Sequence, residues 1–216
     1  MNRLLIFFLL LLGACKTPSE VVQNSSERLL ATIDEAKYDK IKEELKVSRI
    51  SKPSKHLSGI TDQPIAMGVN LMNNSNYSKT NCLYKQKGAL QGCEGLVIEK
   101  EGDYVLVSSK EELVKVCGPV DSEEKAIAYI YLFTKAYPIS DTSKKDGFIY
   151  YKTVEPTKIT KKGKTYRVNL ISYDQFGCGP HEYYTCTYEI DQNANQKLIS
   201  KEKAFRDPEQ DQLCVD

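Results

Sequence analysis

The densest group of reactive side chains in this 216-residue sequence is Phe176-Gly-Cys-Gly-Pro-His-Glu-Tyr-Tyr-Thr-Cys186, which puts Cys178, His181, Glu182 and Cys186 within nine residues. Two chemistries use such a set. Cys178, His181 and Cys186, with Glu182 as a further donor, carry the thiolate and imidazole groups that hold zinc tetrahedrally. In the other, a cysteine thiolate attacks a substrate with His181 as its base. Both need a reduced thiol, and the sequence offers no acid to orient the histidine. A plainer reading makes the stretch a crosslinked hairpin corner with His181 at a turn. His56 and His181 are the only histidines, and no Gly-x-Ser-x-Gly elbow supports a serine nucleophile. The 29 acidic residues show no diagnostic pairing. We therefore expect no catalytic residue, metal or cofactor, and expect Gly177, His181, Glu182, Tyr183 and Tyr184 to form an interaction loop.

The amino-terminal end suggests a different chemistry. Met1-Asn2-Arg3 is a short positive head, followed by the apolar run Leu4–Leu12. Nine residues rise only about 13 Å as a helix, well short of the roughly 30 Å hydrocarbon core of a bilayer. That length suits the apolar region of a signal peptide. The next residues, Leu12-Gly13-Ala14-Cys15, resemble the lipobox of bacterial lipoprotein precursors. An ordinary secretory cleavage site takes small residues at both −1 and −3, and Leu12 is large.

The resemblance implies that residues 1–14 are a signal peptide removed by signal peptidase II. The Cys15 sulfur would carry a diacylglycerol, and the freed amine would be acylated in many bacteria. One acyl chain holds a protein only marginally, whereas two or three anchor it. Lys16 stands where an Asp retains enteric lipoproteins in the inner membrane, which points to the outer membrane of the cell envelope. The Lys-, Asn-, Ile- and Tyr-rich composition and the short leader are similar to those of spirochaetal lipoproteins, particularly leptospiral ones.

The thiol count agrees with this anchor. Seven cysteines (Cys15, Cys82, Cys93, Cys117, Cys178, Cys186 and Cys214) would leave an exported protein with an odd thiol. Lipidation of Cys15 leaves six, an even number suited to an oxidising compartment. Fifteen connectivities remain open. The short loop with Lys87-Gly88 as a turn favours Cys82–Cys93, stabilising by about 3 kcal/mol; Cys178–Cys186 and Cys117–Cys214 follow.

Charge narrows the partners. Lys and Arg number 30 against 29 Asp and Glu, and Arg3 is the one charged residue in the leader, so the mature chain has no net charge. Such a chain offers no field to attract DNA or RNA, and we expect no nucleic-acid partner. Fourteen tyrosines and no tryptophan suit contact surfaces, and they also suit strands.

These residues need a scaffold. Residues 15–26 are polar, contain Pro18 and read as a lipidated tether. Residues 27–55 hold an amphipathic helix over Glu27–Val47, with Leu29, Ile33, Ala36, Ile41 and Leu45 on one face, then a linker at Ser48–Lys55. We expect that face to dock on its own domain. Residues 56–216 form the domain proper, with a core at about 96–205. Within it, Thr61–Thr80 shows little periodicity, and Leu96–Glu99 and Tyr104–Val107 form a hairpin. Ser109-Lys-Glu-Glu112 caps a short helix that Gly118-Pro119 stops. Asp121-Ser-Glu-Glu124 opens a strongly apolar helix running to about Tyr137. Extended segments follow at Phe148–Thr160, Thr165–Tyr173, Tyr183–Ile190 and Lys197–Phe205.

A helix followed by a strand meander buries both only if the sheet wraps across the helix, so the fold class is α+β with a helix packed across an antiparallel β-meander. Over residues 120–205 this order is similar to that of cystatin-like and PepSY-like domains. The function expected is that of a membrane-anchored exported lipoprotein with a non-catalytic binding module, meeting a protein or host-surface ligand. The alternative is an extracytoplasmic hydrolase or metal-binding protein using the Cys178, His181 and Cys186 region.

Overall fold

The structure, a computed structural model, describes residues 35–60, 64–71, 82–86 and 92–215, which lie in the compact unit Ile33–Asp216. The signal peptide, Cys15, the tether, the start of the first helix and the Lys87-Gly88 turn lie outside the described residues.

Two antiparallel sheets share one main core. The first holds β1 (Arg49–Ser51), β2 (Pro64–Leu71), β3 (Tyr84–Lys85), β4 (Gly92–Lys100) and β5 (Asp103–Val107) in the order β1-β2-β4-β3, with β5 also paired to β4. Successive side chains of β4 serve opposite faces. Leu96 and Ile98 enter the main core, while Val97 packs with Ile41 of helix α1 (Glu35–Leu45). The α1 stripe thus docks on its own domain, reinforced at the edge by a Lys37–Glu99 ion pair of 3.2 Å. The β4–β5 hairpin turns on Glu101-Gly102, both at positive φ, a twist that matches right-handed strands.

Helix α2 (Lys110–Cys117) begins with a full capping box: Ser109 Oγ accepts from the Glu112 amide, and the Glu112 carboxylate accepts from the Ser109 amide. Helix α3 (Glu123–Thr134) is capped by Ser122 rather than Asp121. It is apolar nearly all round, as a helix buried on most sides must be. Ala126, Ala128, Tyr129, Ile130 and Leu132 are buried, and α3 touches β3 of the first sheet and two strands of the second. Tyr129 reaches back to donate a 2.6 Å hydrogen bond to the Gly118 carbonyl, fixing α2 against α3.

The expected end of α3 at Tyr137 is corrected to Thr134. Lys135 turns left-handed (φ +61) with its amide on the Tyr131 carbonyl, and Tyr137 leaves the helix to bridge Ile171. Before α3, a 3₁₀ turn (Lys55–Leu57) packs against the helix. Gly59 makes this approach possible, since a Cβ there would sit 2.5 Å from the Glu124 carbonyl.

The second sheet runs β6-β11-β10-β8-β7, from β6 (Ile149–Tyr150), β7 (Ile159–Lys162), β8 (Thr165–Asp174), β10 (Glu182–Asp191) and β11 (Gln196–Arg206). Tyr166, Val168 and Leu170 of β8 and Cys186, Tyr188 and Ile190 of β10 face α3. The molecule is accordingly α+β, with α3 across an antiparallel meander. A two-stranded ribbon, β9 (Gly177–Cys178) with β12 (Cys214–Val215), adds the carboxyl-terminal segment. Among the described residues no helix is long and apolar enough to cross a membrane.

Cys82 bonds Cys93, and Cys178 bonds Cys214. The expected pairs Cys178–Cys186 and Cys117–Cys214 are corrected accordingly. Cys186 sits mid-strand opposite Leu170, facing the core, while Cys178 lies in β9 directly opposite Cys214. Cys117 and Cys186 are free thiols, and burial pushes Cys117 up to about 11.

Candidate functional site

The reactive stretch at 176–186 does not converge. Cys178 is bonded to Cys214, and Cys186 points into the core. His181 is buried with Nε2 2.9 Å from the Leu213 carbonyl. Glu182 is buried too, its Oε1 accepting from Lys203 Nζ at 2.9 Å and the Tyr151 hydroxyl at 3.1 Å. Tyr183 stacks between Tyr173 (4.3 Å) and Phe205 (4.5 Å), and Lys201 lies 4.0 Å over the Tyr184 ring. Gly177 is exposed in β9. Among the described residues no cluster of His, Cys, Asp and Glu could hold a metal ion.

The carboxyl-terminal segment explains this burial. Gly179 lies against the Asp211 backbone so closely that a Cβ would collide with it. The Tyr173 hydroxyl donates to Gln210, and Arg206 pairs with Asp211 at 2.5 Å. The loop expected to present contacts is therefore clasped from outside, and its two most reactive side chains serve packing.

A different site opens nearby. A cleft of about 700 Å³ is lined by residues of both sheets, the 3₁₀ turn and the end of α3. Its size lies in the range of ligand pockets. The first sheet supplies one wall by register. Arg49 of β1, Glu94 of β4 and Tyr84 of β3 occupy one row across the sheet, through the backbone of Val69, and so share a face. Arg49 donates to Gln86 Oε1 at 3.3 Å, and Gln86 Nε2 donates to Glu94 Oε1 at 2.6 Å. The other Glu94 oxygen forms an ion pair with Lys135. The Lys135 ammonium lies 4.8 Å over the Tyr84 ring and 5.3 Å over the Tyr131 ring, a favourable cation–π arrangement.

The opposite end is aromatic. The His56 ring stacks on Tyr137 at 5.7 Å and tilts against Tyr131 at 5.2 Å. Burial, helped by the Lys55 charge, holds His56 below the usual imidazole value, so it is neutral at pH 7. Burial also raises the Tyr84 and Tyr137 hydroxyls, which keeps both protonated. No hydrogen bond joins the Tyr84, Tyr131 or Tyr137 hydroxyl, or either His56 ring nitrogen, to another described residue. Polar groups with open valences on a concave surface of mixed polar and aromatic side chains can orient a bound molecule.

A second cavity of about 240 Å³ lies on the outer side of the second sheet, lined by Asn169, Thr185, Thr187, Ser200 and Glu202 among others. Its hydroxyl and amide groups partly satisfy one another, as in the 3.3 Å Thr187–Asn169 bond, and it has no aromatic wall. The larger cleft is the stronger candidate.

Sequence reasoning overlooked this cleft. Its residues come from six separate stretches between Arg49 and Phe176, and His56 lies in what reads as a linker's end. The surplus of tyrosine was the available signal, and it carried no address. Compared with protein-family models, with curated proteins and with solved structures, the chain matches none.

Proposed function

We propose that this chain is a lipid-anchored protein of the cell envelope whose domain binds a small organic ligand, without changing it chemically, in the cleft bounded by His56, Tyr84, Tyr131 and Tyr137. The placement is supported by Leu12-Gly13-Ala14-Cys15 and by two disulfides, which suit an oxidising compartment. One observation carries the binding reading: three tyrosines and a histidine line one cleft, and among the described residues no hydrogen bond occupies their hydroxyls or ring nitrogens.

Binding fits the cleft better than catalysis does. Glu94 is the one acid among the described lining residues, and Lys135 and Gln86 already engage both of its carboxylate oxygens. Among the described residues no carboxylate is hydrogen-bonded to the His56 ring. The hydrolase or metal alternative at Cys178, His181 and Cys186 loses support, because it needs a thiolate at 178. The burial of His181 and Glu182 likewise moves the contact surface from the 177–184 loop to the cleft.

The test is a metabolite library screened by ligand-observed NMR against the full chain extracted in detergent. At least one compound should bind, should bind about tenfold or more weakly to Tyr131→Ala, and should be recovered unchanged. Conversion of the compound, or binding indifferent to Tyr131→Ala, contradicts the reading.

A further inference from the structure

The geometry points to a ring compound bearing a single carboxylate as the ligand, its carboxylate at Arg49 and Lys52 and its ring against His56, Tyr131 and Tyr137. This deepens the binding reading and rests on it.

Charge supplies the first half of the argument. Among the described lining residues Arg49, Lys52 and Lys135 stand against one acid, Glu94, and the Asp174 charge also reaches Tyr84. Lys135 is neutralised by Glu94 and held over two rings. Among the described residues Arg49 makes one side-chain hydrogen bond, to the neutral Gln86 amide at 3.3 Å, and Lys52 pairs with no carboxylate. A guanidinium has five donors in a planar fork that matches a carboxylate. Among the described residues, Arg49 and Lys52 of the lining, both exposed, thus form no ion pair with a carboxylate.

The form of the anion follows from the other elements. Doubly charged phosphates favour helix amino termini and strings of backbone amides. Here α3 turns its carbonyl end to the cleft at Lys135, which disfavours a concentrated negative charge at that end. A singly charged carboxylate held away from α3, at β1 and the residue after it, avoids this.

The aromatic end supplies the second half. His56 and Tyr137 lie within 18° of parallel, with Tyr131 tilted against the histidine. Flat apolar surface is covered by such a wall, and the open hydroxyls of Tyr84, Tyr131 and Tyr137 suit ring oxygens or hydroxyls. An aromatic acid and a sugar acid share this chemistry.

Isothermal titration calorimetry on the full chain in detergent separates the sources, using 4-hydroxyphenylacetate with its neutral amide, and galacturonate with galactose. One acid should bind about tenfold or more tightly than its neutral counterpart. The double variant Arg49→Gln/Lys52→Gln, with an unchanged circular-dichroism spectrum, should abolish that difference, and Tyr137→Leu should weaken the acid while leaving its dependence on salt. Equal binding of acid and neutral partner overturns the anion while leaving the cleft as a binding site. Binding of none of the four overturns the ligand class, and the library screen then decides the cleft by itself. A difference that survives in the double variant also overturns the assignment.

Discussion

Lys135 and Glu94, 41 residues apart, meet where the carboxyl end of α3 reaches the middle of the first sheet. Both side chains are mostly buried, at 26% and 12% exposure, and Gln86 satisfies the remaining Glu94 oxygen. Removing one partner leaves a charge in a poorly solvated place. Lys135→Met should therefore cost about 1–3 kcal/mol in urea unfolding. The double variant Lys135→Met/Glu94→Gln should cost less than the sum of the single variants, the mark of direct coupling. Additive losses would show that the pair contributes nothing as a pair.

The two disulfides should differ in weight. Cys178–Cys214 closes a separation of 36 residues and Cys82–Cys93 one of 11. Constraint of the unfolded chain grows with loop length, so Cys178→Ser/Cys214→Ser should cost about 4 kcal/mol and Cys82→Ser/Cys93→Ser about 3 kcal/mol. The first should also release the carboxyl-terminal clasp and open His181 to solvent. Thermal unfolding and hydrogen exchange at residues 208–215 read both effects.

His56 links stability to pH. Its folded value is depressed below the ordinary 6.5 by burial and by Lys55. Well above pH 6.5 it is neutral in folded and unfolded chains alike, and it contributes no slope. As pH falls below 6.5 the unfolded chain takes up the proton first, so stability declines until the folded imidazole titrates as well. His56→Gln should flatten this part of the stability profile, measured by denaturant midpoints from pH 7.5 downward. An unchanged slope in the variant would assign the effect to other groups.

Gly59 sets the distance between the 3₁₀ turn that carries His56 and the amino end of α3. Gly59→Ala should force the two apart and cost about 1–3 kcal/mol. Because His56 moves with the turn, ligand binding in the cleft should weaken as well. Full affinity in a folded Gly59→Ala protein would remove His56 from the binding wall.

Local chemistry was legible in the sequence where it is local in space. Glu101-Gly102 marked the β4–β5 hairpin, Ser109 and Glu112 marked the start of α2, and the alternation of Tyr166, Val168 and Leu170 marked the buried side of β8. Errors arose where a distant partner decides. Ile171 takes Tyr137 out of α3, and β4 pairs with β2, which in turn pairs with β1, from segments that read as aperiodic chain and as a linker. Cys178 finds Cys214 because the carboxyl-terminal segment returns to β9, a path no spacing reveals. The cleft was illegible for the same reason: Arg49 and Tyr84 become neighbours only through the register of two intervening strands.

The most direct measurement is the intact mass of the membrane-extracted protein, before and after reduction. The account predicts a chain that starts at residue 15 and carries a diacylglycerol on its sulfur, gains the hydrogens of two disulfides on reduction, and keeps Cys117 and Cys186 unalkylated while folded. A chain that retains Met1, or one with an unmodified thiol at residue 15, would contradict it.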